Sequence, residues 1–146
     1  MAKIECFEDL QVWMLAREIS QAVWSLFDST CLGKDYELKN QMSRSSGSIM
    51  DNITEGFERN GNREFIQFLC IAKGSCAELR SQLYRAFDRK HISKEQFEEI
   101  ANKTNYENQK LGAFISYLNS SAYKGTKFLK VTQESPEHKT QNSKQQ

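Results

Sequence analysis

Residues able to do chemistry are few in this chain, and their spacing argues for binding rather than catalysis. No serine sits in a G-x-S-x-G turn, and no cysteine has an evident histidine partner. No glycine loop of the kind that cradles phosphates is present. The four cysteines, Cys6, Cys31, Cys70 and Cys76, form no C-x-x-C pair, and His91 and His138 do not stand at zinc-ligand spacing from them. Di-metal bundles of the carboxylate–histidine type need a glutamate three residues before each of two histidines. Neither histidine has one. The expectation is a chain with no catalytic centre, no cofactor and no bound metal, whose thiols are reduced and mostly structural.

Two other groups of residues stand out. Ser48, Asn52 and Glu55 are spaced by four and three, so on a helix they share one face beside Ile49 and Ile53. Such a line fits a buried hydrogen-bond set that fixes helix register, because polar groups near a core need partners. It also fits a ligand or subunit contact; the structural reading is the favoured one. The second group is basic. Lys73 and Arg80, seven residues apart, share a face, whereas Arg63, Arg85 and Arg89 fall on another, and Lys90 closes the run. A solvated surface is the ordinary meaning of such a run. Its sharper meaning is contact with phosphates, which gives affinity and salt dependence but little sequence preference.

The charge is uneven although the whole chain carries only +1. Residues 1–35 hold three basic and six acidic groups, while residues 62–90 hold six basic against three acidic. From Tyr123 onward five lysines, among them Lys124, Lys127 and Lys130, face Glu134 and Glu137. This distribution permits a polyanionic partner without requiring one.

The elements that position these residues are helical. The 146 residues suit one domain, and one proline with seven glycines leaves few breakers. A first helix carries Leu10, Trp13, Ala16, Ser20, Val23, Trp24 and Phe27 at steps of three and four, with Glu8 and Asp9 at its start and its end near Thr30. A second runs from about Asp35 to Arg59 with Leu38, Met42, Ser45, Ile49, Ile53 and Phe57 on one face. Its middle, Ser43-Arg44-Ser45-Ser46-Gly47-Ser48, is a poor helix former but lets a neighbour approach closely. Asn60-Gly61-Asn62 breaks the chain, and Asn62 is expected to cap a third helix striped by Phe65, Phe68, Leu69, Ala72, Cys76, Leu79, Leu83, Ala86 and Phe87. The fourth opens on the capping box Ser93-Lys94-Glu95-Gln96 and continues through Phe97, Ile100, Ala101, Thr104, Leu111, Phe114, Ile115 and Leu118.

Short connections make sequential helices antiparallel neighbours, so the expected fold class is all-α, an antiparallel up-down-up-down four-helix bundle. The bundle is expected over residues 1–124, with a flexible polar tail over 125–146. No stretch approaches the length of a membrane span and no secretory signal opens the chain, which points to the cytoplasm and to no membrane partner. Val12, Leu15, Ile66 and Tyr84 lie off the main stripes; they fit subunit contacts or a wide core face.

These residues resemble a known family. Phe7-Glu8-Asp9-Leu10-Gln11-Val12-Trp13 resembles the opening F-x-D-L-x-V-W of the four-helix bundle proteins encoded in intervening sequences of bacterial 23S ribosomal RNA genes. Leu38-x-x-Gln41-x-x-Arg44, then Ser48-Ile49-x-x-Asn52-Ile53-x-Glu55-Gly56, is similar to the family's central signature. Phe65-x-x-Phe68-Leu69-x-x-Ala72-x-Gly74-Ser75 with Glu78-Leu79 resembles its third-helix motif. The family is similar to the accessory variability protein of diversity-generating retroelements, a homopentameric barrel that binds nucleic acid and a reverse transcriptase. The resemblance implies a homo-oligomer, with a pentamer as its pattern, an RNA or DNA partner, and no enzymatic activity. The leading expectation is phosphate-directed binding through Lys73, Arg80, Arg85, Arg89 and Lys90; the alternative is a protein–protein scaffold or accessory subunit that binds no nucleic acid.

Overall fold

The computed structural model describes residues 3–120. Among them are four helices and no strand: α1 (Gln11–Ser29), α2 (Tyr36–Glu58), α3 (Asn62–Asp88) and α4 (Lys94–Ser120). Short 3-10 turns, Phe7–Asp9 and Cys31–Lys34, precede α1 and α2. Sequential helices pack side by side, most extensively α2 on α3 and α3 on α4, and α1 closes the ring against α2 and α4. This is the antiparallel up-down-up-down bundle that the short connections require. The expected boundary at residue 124 and the tail beyond it lie outside the described residues. No described helix is long and apolar enough to cross a membrane.

The core follows the stripes closely on α2, where Leu38, Met42, Ser45, Ile49, Ile53 and Phe57 are all buried. On α1 the expected face is rotated. Val12, Ala16, Ile19, Val23 and Leu26, at steps of four, three, four and three, enter the core together with Phe27. Trp24 is instead 50% exposed. Its indole meets Phe27 edge-on at 5.6 Å, under the Lys39 ammonium at 5.7 Å, which suits an amphipathic ring at a rim. Val12 thus belongs to the core, Leu15 and Ile66 are half-buried against it, and Tyr84 is exposed. Phe65 anchors one end, edge-to-face with Phe57 at 6.3 Å and Phe114 at 5.4 Å.

Helix ends are set by local chemistry. Asp35 caps α2 through a bond from the Leu38 amide, 3.4 Å. Ser93 and Gln96 form the expected reciprocal box at α4, at 2.8 and 3.1 Å. The cap expected from Asn62 is not made: Asn62 is already the first residue of α3, and Gly61 precedes it at φ 96°, a conformation glycine adopts without strain. Gly56 serves close approach instead, because a Cβ there would lie 2.7 Å from Phe68 Cβ and 2.9 Å from Phe65 Cδ1.

Candidate nucleic-acid interface

Four of the five basic residues fall on two flanks of α3 or its C-cap, and Lys90 lies in the turn that follows. Lys73 and Arg80 lean toward α4: the Arg80 guanidinium donates to Asn105 Oδ1 at 2.6 Å, and Asn108 Nδ2 donates to the Lys73 carbonyl at 3.3 Å. Arg85 and Arg89 lean toward α2. Arg85 donates to Gln41 Oε1 at 2.7 Å, a neutral partner that leaves its charge uncompensated. Arg89 is paired with Asp35 at 2.7 Å, and the same carboxylate oxygen lies 2.9 Å from His91 Nε2. The Arg89 guanidinium, then the His91 bond, hold the Asp35 carboxyl down at about 2. This cluster ties the start of α2 to the α3–α4 turn, where Lys90 turns at φ 62°. Arg89 is therefore largely spent on an ion pair within the chain, and Arg85 and Arg89 do not join Lys73 and Arg80 in one patch.

The α4-side flank of α3 holds something the charge pattern did not disclose. Lys73, Arg80, Tyr84 and Phe87 recur at steps of seven, four and three, so they form one line. Tyr84 is 54% exposed and Phe87 37%. Both rings pack on half-buried Phe97 of α4, with centroids at 4.8 and 5.3 Å. An aromatic platform thus continues the basic line. The signal in the sequence is the Tyr84–Phe87 spacing, divided between the apolar stripe, which holds Phe87, and the residues beside it, which include Tyr84.

The polar line on α2 resolves in part. Ser48 Oγ lies 2.9 Å from Ser75 Oγ of α3, and Asn52 Nδ2 donates to both the Ser48 carbonyl at 2.8 Å and its hydroxyl at 2.9 Å. This is the hydrogen-bond set that fixes register. Glu55 does not join it. The carboxylate is exposed and accepts from Arg59, one turn on, at 2.7 Å, because its place on the helix points to solvent.

Two further features escaped the sequence. Glu107 of α4 is 0% exposed, and neither carboxylate oxygen has a donor among the described residues. Burial pushes its carboxyl up to about 8. The neighbouring Cys76 thiol is pushed up to about 12, first by burial and then by Glu107, so it is unreactive. The spacing Thr104–Glu107–Leu111 continues the core line and was the available signal. The thiols also depart from expectation: all four are free, but only Cys76 is buried, while Cys6, Cys31 and Cys70 are exposed because they lie on turns or on the outer face of α3. Among the described residues no three histidine, cysteine or acidic side chains gather at metal-binding distance.

The arrangement can be set beside known proteins. A family model described as 23S rRNA-intervening sequence protein matches residues 8–113. A crystal structure of a protein of unknown function from the S23 ribosomal protein family of Bacteroides thetaiotaomicron is similar at 26% identity, covering 71% of this chain and 97% of that one, with a TM-score of 0.66. No curated protein sequence matches the chain. The family model spans α1 through most of α4, including both polar sites, and on that ground the chain belongs to the 23S rRNA-intervening sequence protein family.

Proposed function

We propose that this chain is a non-enzymatic, self-associating helical module that binds single-stranded RNA or DNA along the α4-side flank of α3. The observation that carries this reading is the line Lys73, Arg80, Tyr84 and Phe87, where two cations lead into exposed rings. Single strands are bound by that combination: cations track the phosphates while bases stack on aromatic faces. The whole chain carries only +1, so no strong general positive field draws in a duplex. Affinity then depends on the local line. Arg85 and Arg89 lie on the opposite flank, outside this line, and Asp35 neutralises Arg89. The likeness of the family to the accessory variability protein of retroelements supports the same kind of assembly, a homo-oligomer with the pentamer as its pattern. It also supports a protein partner beside the nucleic acid. A cytoplasmic setting follows from such partners.

The test is fluorescence anisotropy with labelled single-stranded and duplex oligonucleotides over a range of salt. Wild type should prefer single strands and weaken linearly in log affinity against log salt. Reversing Lys73 and Arg80 to glutamate should reduce that slope by about 1.4, at about 0.7 for each single-strand phosphate contact. Tyr84→Ala should weaken binding by about 1–3 kcal/mol with the salt slope unchanged. Binding indifferent to all three substitutions, or absent altogether, would remove this reading and leave a protein scaffold.

A further inference from the structure

The seam between α2 and α3 opens outward into a polar groove of about 510 Å3 lined by Gln41, Arg44, Ser45, Ser48, Glu78 and Gln82. Gln82 is only 9% exposed, and its Oε1 has no donor among the described residues. A buried acceptor left without a donor is costly, so the groove is incomplete as it stands. Arg44 and Glu78 are exposed on its two walls, and neither makes a hydrogen bond or ion pair with another described residue. They stand at the same level: Arg44 is four residues before Ser48 and Glu78 three after Ser75, on antiparallel helices joined by that serine pair.

The helix surfaces beside the groove are equally unfinished. Gly47 of α2 and Gly74 of α3 lie inside helices, where glycine is among the least favoured residues. A Cβ on either would meet nothing within 4 Å, so no contact among the described residues demands a glycine there. Gly74 belongs to an outward line of small residues, Cys70, Gly74, Ala77 and Ser81, with Ile71 beside it 51% exposed.

We propose that this α2–α3 face is where a second copy of the chain docks, Arg44 of one copy meeting Glu78 of the other while the glycines admit close helix approach. The inference rests on the self-association proposed above and assigns it a surface. Charge complementarity selects the occupant. One unpaired cation and one unpaired anion on the same face complement a copy of that face, across a two-fold axis or around a ring. A polyanion would meet Glu78 with repulsion, and a partner of single charge sign would meet one wrong group. Gln82 lines the groove, and turning its amide outward lets the incoming copy supply the donor that Oε1 lacks inside.

The experiment is sedimentation velocity on the full chain, nuclease-treated and kept in reductant, with unfolding followed in parallel. Arg44→Glu and Glu78→Arg should each weaken association by about tenfold or more, since like charges then face each other. The double variant keeps both charges on exchanged helices and should restore association to near the wild-type level. Gly74→Trp should abolish association while the subunit keeps the helical circular dichroism of wild type and unfolds cooperatively, because the side chain enters open space. If wild type associates and the variants do so equally well, the face is wrong while self-association stands. A wild type that is monomeric at every concentration overturns both.

Discussion

Two places in this bundle put polar atoms where the apolar pattern would run, and they solve the problem differently. At the α2–α3 seam, Ser48, Asn52 and Ser75 bond one another within 3 Å, and small side chains bring the helix backbones close enough for that. In the core, Glu107 is fully buried, with the Cys76 thiol near it and no donor for either oxygen among the described residues. The difference lies in position rather than in residue type. At a seam, two helices each offer hydroxyls and carbonyls at the edge of the packing. On the axis, every backbone group is already committed to its own helix. The seam therefore fixes register at little cost, while Glu107 makes the core respond to pH.

The sharpest way to test that contrast is Glu107→Gln. The folded carboxyl titrates near 8 and the unfolded one near 4.5. Below 4.5 both states are protonated and no penalty exists. As pH rises from there the unfolded chain ionises while the folded core resists, so stability falls until pH passes 8 and is constant beyond. At pH 7 the loss is about 3 kcal/mol, at about 1.36 kcal/mol per unit. Urea unfolding across this range should show the variant gaining on wild type as pH rises, from near parity in acid. A difference that stays level with pH would mean that Glu107 finds a partner in solution, and the contrast with the seam would collapse.

Ser48→Ala probes the other side and should cost less, about 1–2 kcal/mol, by removing the hydroxyl shared by Ser75 and Asn52. Its cost should not vary between pH 5 and 8, because nothing at the seam titrates there. Adding Ser75→Ala should cost less than the sum of the two single changes, since Ser75 has then lost its partner already. Additive losses would show that the two hydroxyls act independently and that the seam is no network.

What the sequence disclosed tracks how local each interaction is. The α2 stripe was legible because one line of apolar residues runs through it without a competitor. On α1 two lines overlap: tryptophans at 13 and 24 favoured one face by hydrophobicity, while Val12, Ile19 and Leu26 define the face that packs. Ser48 and Asn52 were legible as an i, i+4 pair; Ser75, 27 residues away, was not. Arg89 looked like a free cation for the same reason, since Asp35 lies 54 residues before it. Glu107 stayed hidden because a charged residue reads as surface even at a core interval.

Asp35→Asn, the smallest effect, brings the two ends of the titration together. Asparagine caps a helix as well as aspartate does, so the change removes the charge felt by Arg89 and His91 and little else. The Asp35 carboxyl is lowered from 3.8 to about 2, so its contribution is present above 3.8 and disappears as pH falls through 2. At the solvent-screened end of the bundle this amounts to about 1 kcal/mol. The sign is opposite to that of Glu107: one group loses stability on the way down, the other on the way up. Their windows meet between 3.8 and 4.5, so wild type should be most stable on the acid side of neutrality, where proteins usually peak near pH 5–8. Asp35→Asn should flatten the acid limb of that curve, and Glu107→Gln should move its summit toward neutral pH. A wild-type optimum already at neutral pH would show that Glu107 does not govern the curve.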